Sequence, residues 1–319
     1  MATLPATPDS SGVPLARRDG RATIAPVRIH KLSSTDAFVA FDLDDTPSVG
    51  VTRLARKVLT DGAELLARST TYAFASFGVR MGGASAGINA EGDGRDPAVA
   101  AFVEEMRSAV AEGRWATDPA LGLTEADLAP LRIDDRRPAA LWTDGLAHAL
   151  IGQGAVAAAG AAREGGIAGA TCAFVGKGPA VDAARAAAAA TGATVAEGDG
   201  FDTEADVLFL AGKAGMLEHE AVPHVVATTV VPLTPVPVTA RAHAELTKAG
   251  RVHVPDFLST AAPLLHAHAD DVSDPVAAIA TKVHSLASHG PGLWLAAVEE
   301  AEAFLRTWRD ELPFGRPLA

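Results

Sequence analysis

A glycine pair at the end of an apolar run is the first feature of this chain with a recognisable chemistry. The run ATCAFV leads into Gly176, Lys177 and Gly178, and an alanine-rich helical stretch follows. Glycines at such a strand-to-helix turn let the backbone approach a pyrophosphate, which the helix N-terminus attracts. Glu197 follows 21 residues after Gly176, the spacing of an acid that binds a ribose 2′-hydroxyl. The pattern predicts a dinucleotide site, in which Glu197 favours NAD over NADP and Lys177 is available to a phosphate.

Three details of the same region argue against a dinucleotide. Val181 stands at the third glycine position of the motif, and Pro179 has no N–H to offer a phosphate. Asp206, which opens the next apolar run, comes nine residues after Glu197. This connection has no room for a helix, so we expect a Rossmann-like domain that is trimmed after its second strand. Binding of NAD or NADP, and a Rossmann-shaped domain that binds neither, both stay open.

A second constellation lies between Thr70 and Ile88, in the sequence TTYAFASFGVRMGGASAGI. It resembles the active-site segment of the Glu/Leu/Phe/Val dehydrogenase family, and is closest to the leucine and phenylalanine branch, which carries a sequence near MTYK-N-A followed by GGAK. The resemblance implies a lysine that holds the substrate carboxylate and a second that activates water or ammonia at the α-carbon. An ungapped alignment places these lysines at Ala73 and Ser85.

Further segments extend the resemblance. Val49–Arg53 is similar to the family's L-G-G-T-R, and residues 138–146 resemble its S-P-V-T-A-Y-G-V. Gly82 and Gly83 match its glycine turn and, with Ser85, would shape the substrate cleft. These matches predict the two-domain α/β fold of the family.

Other polar residues of the family's active site are also replaced in this chain. Residues 117–128 resemble the segment with the family's catalytic aspartate, which falls on Ala120. Residues 255–263 resemble P-D-Y-V-I-N-A-G-G, whose asparagine falls on Thr260, another candidate for the cleft. Oxidative deamination needs a lysine whose pKa is tuned toward neutrality and a carboxylate that moves protons. Loss of one positioned acid or base costs roughly two to four orders of magnitude in rate.

These replacements predict a protein that is not competent for oxidative deamination. The first hypothesis is a pseudoenzyme or small-molecule-binding protein. The alternative is a repurposed NAD(P)-dependent oxidoreductase, or another enzyme that acts on a small amino-acid-like molecule. The catalytic residues of such an enzyme are unknown.

Three polar residues survive as candidates for the cleft. Lys213 follows the strand-like run DVLFLAG, where ligands bind in open α/β folds, and is the best surviving cation. Arg53 matches a family position, although a structural role is the simpler interpretation. Asp118 lies two residues before Ala120 and could replace the missing carboxylate, although an aspartate before Pro119 is typical of a turn.

The histidines predict no metal site. The sequence HAHADD enters a helix, where alternate residues do not share a face, and a second pair of histidines has the pattern of surface or sheet-edge residues. These residues are His266, His268, Asp270 and Asp271 in the first group, and His243 and His253 in the second.

Composition excludes other classes of function. The net charge is −12 and no basic patch occurs, so nucleic acid is not an expected partner. No apolar run is long enough for a membrane helix. The single cysteine, Cys172, suits a reducing cytoplasm, and the many alanines suggest a bacterial source. The family resemblance implies a homodimer or larger homo-oligomer.

Apolar spacing sets the expected domains. Residues 1–26 have the composition of a disordered tail. Residues 27–144 form an N-terminal dimerisation and substrate domain with helices over 54–68 and 97–112, joined by a helical segment over 290–319. Residues 145–289, in which short apolar strands alternate with helices, form a doubly wound Rossmann-like domain.

Overall fold

The computed structural model describes residues 23–25, 27–313 and 315–319. Most of the expected N-terminal tail, residues 1–22 and 26, lies outside these described residues. The described part of that range is not a coil, because Thr23–Ala25 forms a short strand, β1. The remainder folds as two α/β units, as predicted.

The first unit is built on a mixed five-stranded sheet in the order β2-β3-β5-β4-β6. β4 runs parallel to both β5 and β6, whereas β3 is antiparallel to β5 and β2. The strands are β2 (Arg28–Lys31), β3 (Ala37–Phe41), β4 (Ser48–Ala55), β5 (Gly82–Asn89) and β6 (Trp115–Pro119).

Helices cover this sheet. α1 (Thr60–Ser76) packs on β5 and α2 (Arg95–Ala111) lies over β5 and β6, while α3 (Glu125–Arg132) begins with a capping box from Thr124. The helix expected over 54–68 was misplaced at its start, because Leu54 and Ala55 belong to β4. Their pairing with Ile88 and Asn89 of β5 outweighs the helical spacing of the apolar residues.

The predicted turn at Gly82 and Gly83 is wrong, since both glycines lie inside β5. Gly83 is needed for close approach of the helix. A Cβ atom there would lie 1.9 Å from the carbonyl oxygen of Ala67 in α1. The Gly83 N–H instead donates to Thr71 Oγ1 at 2.9 Å. Gly83 therefore allows α1 to pack closely on the sheet.

The second unit carries a parallel sheet in the order β8-β7-β9-β10-β11. The chain moves from β7 outward to β8 and then returns to the other side of β7. The expected trimming is confirmed, because residues 196–206, between β8 and β9, contain neither helix nor strand. The strands are β7 (Thr171–Val175), β8 (Thr194–Val195), β9 (Val207–Leu210), β10 (Thr229–Pro232) and β11 (Val252–His253).

Helices surround this sheet and connect the two units. α5 packs on α6 and α10, and α11 packs on α1. The hydrophobic core runs without a break from Tyr72 in α1 through Phe209 in β9 to Leu305 in α11. The helices are α4 (Ala140–Thr143), α5 (Leu146–Ala161), α6 (Pro179–Ala190), α7 (Ala240–Lys248), α8 (Asp256–Ser259), α9 (Ala262–His268), α10 (Pro275–Leu286) and α11 (Leu293–Leu305).

The last described residues touch both units. β12 (Glu311–Pro313) pairs with β1 in parallel. The 315–319 segment then accepts a hydrogen bond from Arg68 of α1 at Gly315 O, 3.1 Å away. Its Ala319 donates to Val238 O and accepts from Ala240 N, at the start of α7. Among the helices of the described residues, none is long and apolar enough to cross a membrane.

Candidate functional site

A cavity of about 460 Å³ lies between the two units. One wall comes from β4, β6 and the start of α3, and the other from α5, α9 and the loop after β10. Its size is in the range of sites for small organic molecules. We call it the interdomain cleft. Its walls are mostly apolar, with contributions from Val49, Val51, Leu123, Leu141, Ala147, Ile151, Leu233, Leu264 and Ala267.

Two arginines and three carboxylates form a charged network at one end of the cleft. Arg137 contacts Asp118 at 2.9 Å and Asp135 at 2.8 Å. Arg132 contacts Glu125 at 2.8 Å, Asp135 at 3.0 Å and Asp118 at 3.2 Å. Both guanidinium groups are buried, whereas Asp118 and Glu125 keep about two fifths of their side-chain surface exposed. Two of the three carboxylates, Asp118 and Glu125, line the cleft, whereas Asp135 is buried behind them.

Burial and pairing set the charge states in this network. Burial alone would lower the pKa of Arg137, but Asp118 and Asp135 outweigh it and raise the pKa above its ordinary value. Burial would raise the pKa of Asp135, yet its bonds to Arg137 hold that pKa below its usual value. Arg137 therefore stays charged and cannot act as a base. The ring of Trp142 in α4 packs against both arginines, and the guanidinium carbon of Arg132 lies 4.6 Å from the ring centroid.

Ala73 and Ser85, which align with the family lysines, are buried. Ala73 is 3% exposed in α1 and joins the hydrophobic core. Ser85 is completely buried in β5, and its Oγ has no hydrogen-bond partner among the described residues. Ser85 pairs with Val51, which pairs with Asp118, so the three residues form one row across β5, β4 and β6. Position 85 is therefore in register with the cleft residues Val51 and Asp118, but Ser85 itself is not among the residues that line the cleft.

The other two replaced positions lie near the same cleft. Ala120 follows β6, and its N–H donates to Thr52 O. Thr260 lines the cleft, and its hydroxyl donates to Asp256 O at 2.8 Å. The Thr260 hydroxyl proton is thus already used within α8.

Of the three polar residues that the sequence suggested for the cleft, only Asp118 lines it. Asp118 lines the cleft, and it is not a turn residue, because it lies in β6 and pairs with Arg137. Arg53 and Lys213 are not among the residues that line the cleft. Lys213 is exposed on the loop after β9. Arg53 is half-buried, and this burial lowers the pKa of its guanidinium.

Arg137, His148 and His268 also line the cleft, and none of them was predicted as a cleft residue. His268 lies at the end of α9, and burial, followed by the charge of Arg137, lowers its pKa to about 4. The imidazole is therefore neutral at physiological pH. With Arg137, it lines both the cleft and a side chamber of about 140 Å³. Its buried Nε2 has no partner among the described residues. In that part of the chain, no group of three or more potential ligands could hold a metal.

The predicted dinucleotide turn keeps part of its geometry. Gly176 has φ +111° and Gly178 has φ +123°, conformations that favour glycine. A Cβ atom on Gly178 would meet nothing within 4 Å, so open space faces this turn. At Gly178 the turn therefore leaves room for a phosphate, whereas a Cβ atom on Gly176 would lie 1.9 Å from Ala211 O. Glu197 is exposed on the loop after β8. Because the connection to β9 is short, β8 is the edge strand of the sheet, and no further strand lies beside Glu197.

His253 lies in β11 at the edge of its sheet, as one of the predicted alternatives, but neither it nor His243 is an exposed surface residue. His253 is 1% exposed, and its Nδ1 lies 3.1 Å from His243 Nδ1. The ring of His243 also packs against Trp294 at 4.7 Å. The rings are covered because α7 and α11 both pack on β11. Cys172 is likewise buried, and burial raises its pKa to about 11.

Comparison with solved structures identifies the fold. The chain is similar to the hetero-hexameric glutamate dehydrogenase of Thermus thermophilus in its leucine-bound form, with a TM-score of 0.67, 21% identity and 84% of each chain covered. It is also similar to L-tryptophan dehydrogenase of Nostoc punctiforme, with a TM-score of 0.64, 18% identity, and 88% of this chain and 95% of that one covered.

Glutamate dehydrogenase of Peptoniphilus asaccharolyticus gives a TM-score of 0.63 at 14% identity, with 85% and 86% covered. No protein-family model and no curated protein sequence matches the chain. At these identities the likeness establishes the fold: two domains, one with a Rossmann-like sheet, arranged as in these amino-acid dehydrogenases.

Proposed function

We propose that this protein is a divergent member of the amino-acid dehydrogenase family that binds a small molecule in its interdomain cleft and does not deaminate amino acids. The observation that carries the proposal is the burial of Ala73 and Ser85 beside a retained cleft. A short hydroxyl at position 85 carries no charge and does not titrate near neutral pH. The cleft thus keeps its volume without the amines of the reaction.

The remaining cation of the cleft does not replace them. Arg137 is held by two carboxylates and stays protonated. A group that cannot release its proton cannot serve as the general base of a deamination. This supports a binding role over the family's usual chemistry.

A turnover assay tests the proposal. The purified protein is incubated with NAD⁺ or NADP⁺ and a panel of L-amino acids, and we expect no reduced cofactor to form. Native mass spectrometry of the same preparation should detect a small molecule retained in the cleft. Steady formation of reduced cofactor from any one amino acid would refute the proposal.

The combined variant Ala73→Lys, Ser85→Lys and Ala120→Asp tests the alignment with the family. Weak deamination of leucine or phenylalanine by this variant would support the assignment of these positions. The single variant Ala120→Asp is the matched control, because it adds a carboxylate without either amine.

A repurposed NAD(P)-dependent oxidoreductase is the second candidate. It is supported by the positive φ angles of Gly176 and Gly178 and the open space beside the turn. Bound at Gly176, Lys177 and Gly178, the cofactor would supply a hydride acceptor or donor, and Glu197 would favour NAD. A rise in melting temperature with millimolar NADH, lost in Gly178→Val but kept in Gly94→Ala, is the expected result. No shift with NADH or NADPH contradicts this candidate.

A homodimer or larger assembly belongs to the same proposal. Its support is the likeness to the glutamate dehydrogenase of Thermus thermophilus, which is described as hetero-hexameric. Light scattering coupled to size exclusion should give at least twice the chain mass of 32.5 kDa. The single buried thiol of Cys172 accords with a cytoplasmic location.

A further inference from the structure

We infer that the interdomain cleft selects a mostly apolar amine that lacks a carboxylate, rather than an α-amino acid. This inference rests on the proposed function, since it names the class of molecule bound in the same cleft. It follows from the hydrogen-bond donors and acceptors that the cleft walls leave free.

The donors of the charged network are almost all used. Arg132 directs its three nitrogens to Glu125, Asp135, Asp118 and the carbonyl oxygen of Thr117. A guanidinium has five N–H groups, so these bonds occupy all of them. Arg137 leaves one N–H on Nη1, which otherwise donates to Asp118. A ligand carboxylate needs several donors and a net positive charge. The network leaves it this one N–H and no net positive charge, and the neutral ring of His268 adds at most one N–H more.

Acceptors remain available at the same end of the cleft. Glu125 accepts both bonds from Arg132 on Oε2, so its Oε1 has no partner among the described residues. Asp118 accepts one bond on Oδ2 and two on Oδ1. Each carboxylate oxygen can accept about two hydrogen bonds. Both side chains line the cleft and are partly exposed to it, so they can receive the N–H groups of an ammonium.

The charge balance acts in the same direction. Arg132 and Arg137 contribute two positive charges, against three negative charges from Asp118, Asp135 and Glu125, which leaves one net negative charge. The cation that the sequence offered, Lys213, is not among the residues that line the cleft. An anion entering the cleft is therefore repelled, and a cation is attracted.

The other walls of the cleft are apolar and favour a ligand whose body is apolar. Val51, Leu141, Ile151 and Leu264 line the cleft opposite or beside the network and offer no polar side-chain atoms. Burial of apolar ligand surface against them supplies most of the affinity, while the carboxylates orient the amine.

Three probes with the same aromatic body separate the possibilities on the unmodified protein. Phenethylamine carries only the ammonium, L-phenylalanine carries both charges, and 3-phenylpropionate carries only the carboxylate. Isothermal titration calorimetry should give phenethylamine an affinity at least about tenfold higher than that of L-phenylalanine, the equivalent of about 1.4 kcal/mol. No binding of 3-phenylpropionate is expected.

Variants locate the effect. Glu125→Gln keeps the side-chain size but removes the charge, so the affinity for phenethylamine should fall at least about fivefold. Glu300→Gln is the matched control, because Glu300 also pairs with one cation, Lys282, outside the cleft. Ile151→Trp should fill the cleft and abolish binding, whereas Leu295→Trp, at an exposed apolar position, should leave it intact.

The outcomes distinguish this inference from the proposal on which it rests. Tighter binding of L-phenylalanine than of phenethylamine, without turnover, overturns the inference alone. Absence of binding by all three probes up to about 10 mM, a concentration at which even weak ligands are detected, also overturns it. Conversion of L-phenylalanine with NAD⁺ overturns the proposed function as well.

Discussion

The hydroxyl of Ser69 donates a hydrogen bond of 2.5 Å to the carboxylate of Asp256, and both residues are buried. Ser69 lies in α1 of the first unit and Asp256 opens α8 of the second. The same carboxylate oxygen accepts the N–H of Val236 at 2.9 Å. Val236 has φ 52°, an unfavourable conformation for a β-branched residue. One carboxylate thus joins α1 to a strained loop of the other unit.

Substitution Ser69→Ala should weaken this connection. It removes the side-chain donor from a buried carboxylate, so the free energy of unfolding should fall by about 1–3 kcal/mol. Urea denaturation near neutral pH measures the change. Ser285→Ala is the matched control, since the Ser285 hydroxyl only donates to Lys282 O on an exposed helix surface. Equal losses in the two variants would contradict the role of Ser69.

Acidification should destabilise the protein through His243. Burial lowers the pKa of His243 to about 4, from an ordinary value of 6.5. The unfolded chain therefore takes up a proton before the folded chain does. His243 alone contributes stability that is present above about pH 6.5 and is lost as the pH falls toward 4, by on the order of 3 kcal/mol. His253 and His268, whose pKa values burial also lowers, add to the loss in the same direction. Urea midpoints measured across this pH range test the sign.

The pKa of Asp256 is shifted in the opposite direction, so this residue changes the pH dependence of stability with the opposite sign and provides a control. Burial raises its pKa to about 6, from 3.8. Its contribution to stability is fully present below about pH 3.8 and is lost as the pH rises through 6. In Asp256→Asn this opposing contribution disappears, so the loss on acidification should become steeper. A variant that gains stability on acidification would rule out the assignment to His243.

Gly83→Ala should be strongly destabilising. The added methyl group would lie 1.9 Å from Ala67 O and 2.8 Å from Thr71 N, both backbone atoms of α1. The helix must move away from the sheet, which we expect to cost about 3 kcal/mol or more. Gly94→Ala is the control, because a Cβ atom there meets nothing within 4 Å. Calorimetric melting temperatures distinguish the two variants.

Ser85→Ala should stabilise the protein. The Ser85 hydroxyl is completely buried without a partner, so its removal relieves a desolvation penalty of about 1 kcal/mol. Ser85→Lys should destabilise, because it buries an unpaired charge. Thermal denaturation of both variants tests the prediction. A loss of stability in Ser85→Ala would indicate a hydrogen bond to bound water.

Local patterns predicted much of the fold. The continuous apolar runs ATCAFV and DVLFL became β7 and β9 because a strand buried on both faces needs no polar residue. The short connection from Glu197 to Asp206, nine positions later, predicted the trimmed sheet, because it has no room for a helix. The glycines of the GGAS segment were misinterpreted as a turn, since glycine serves both turns and close packing.

The site itself depended on contacts that the local sequence does not encode. Arg137 follows Arg136 in what looks like a solvated charge pair. Its significance comes from Asp118, 19 residues earlier, which reaches it only when β6 is in place. The row of Ser85, Val51 and Asp118 likewise depends on strand register. Lys213 was favoured because it follows a strand, but its loop contributes no wall to the cleft.

The 315–319 segment has a consequence for ligand exchange. It accepts a hydrogen bond from Arg68 of the first unit and exchanges two hydrogen bonds with Val238 and Ala240 of the second. A hinge rotation that widens the cleft at this side must break some of these bonds. The residence time of a ligand is therefore sensitive to local unfolding of residues 315–319, although these five residues do not line the cleft.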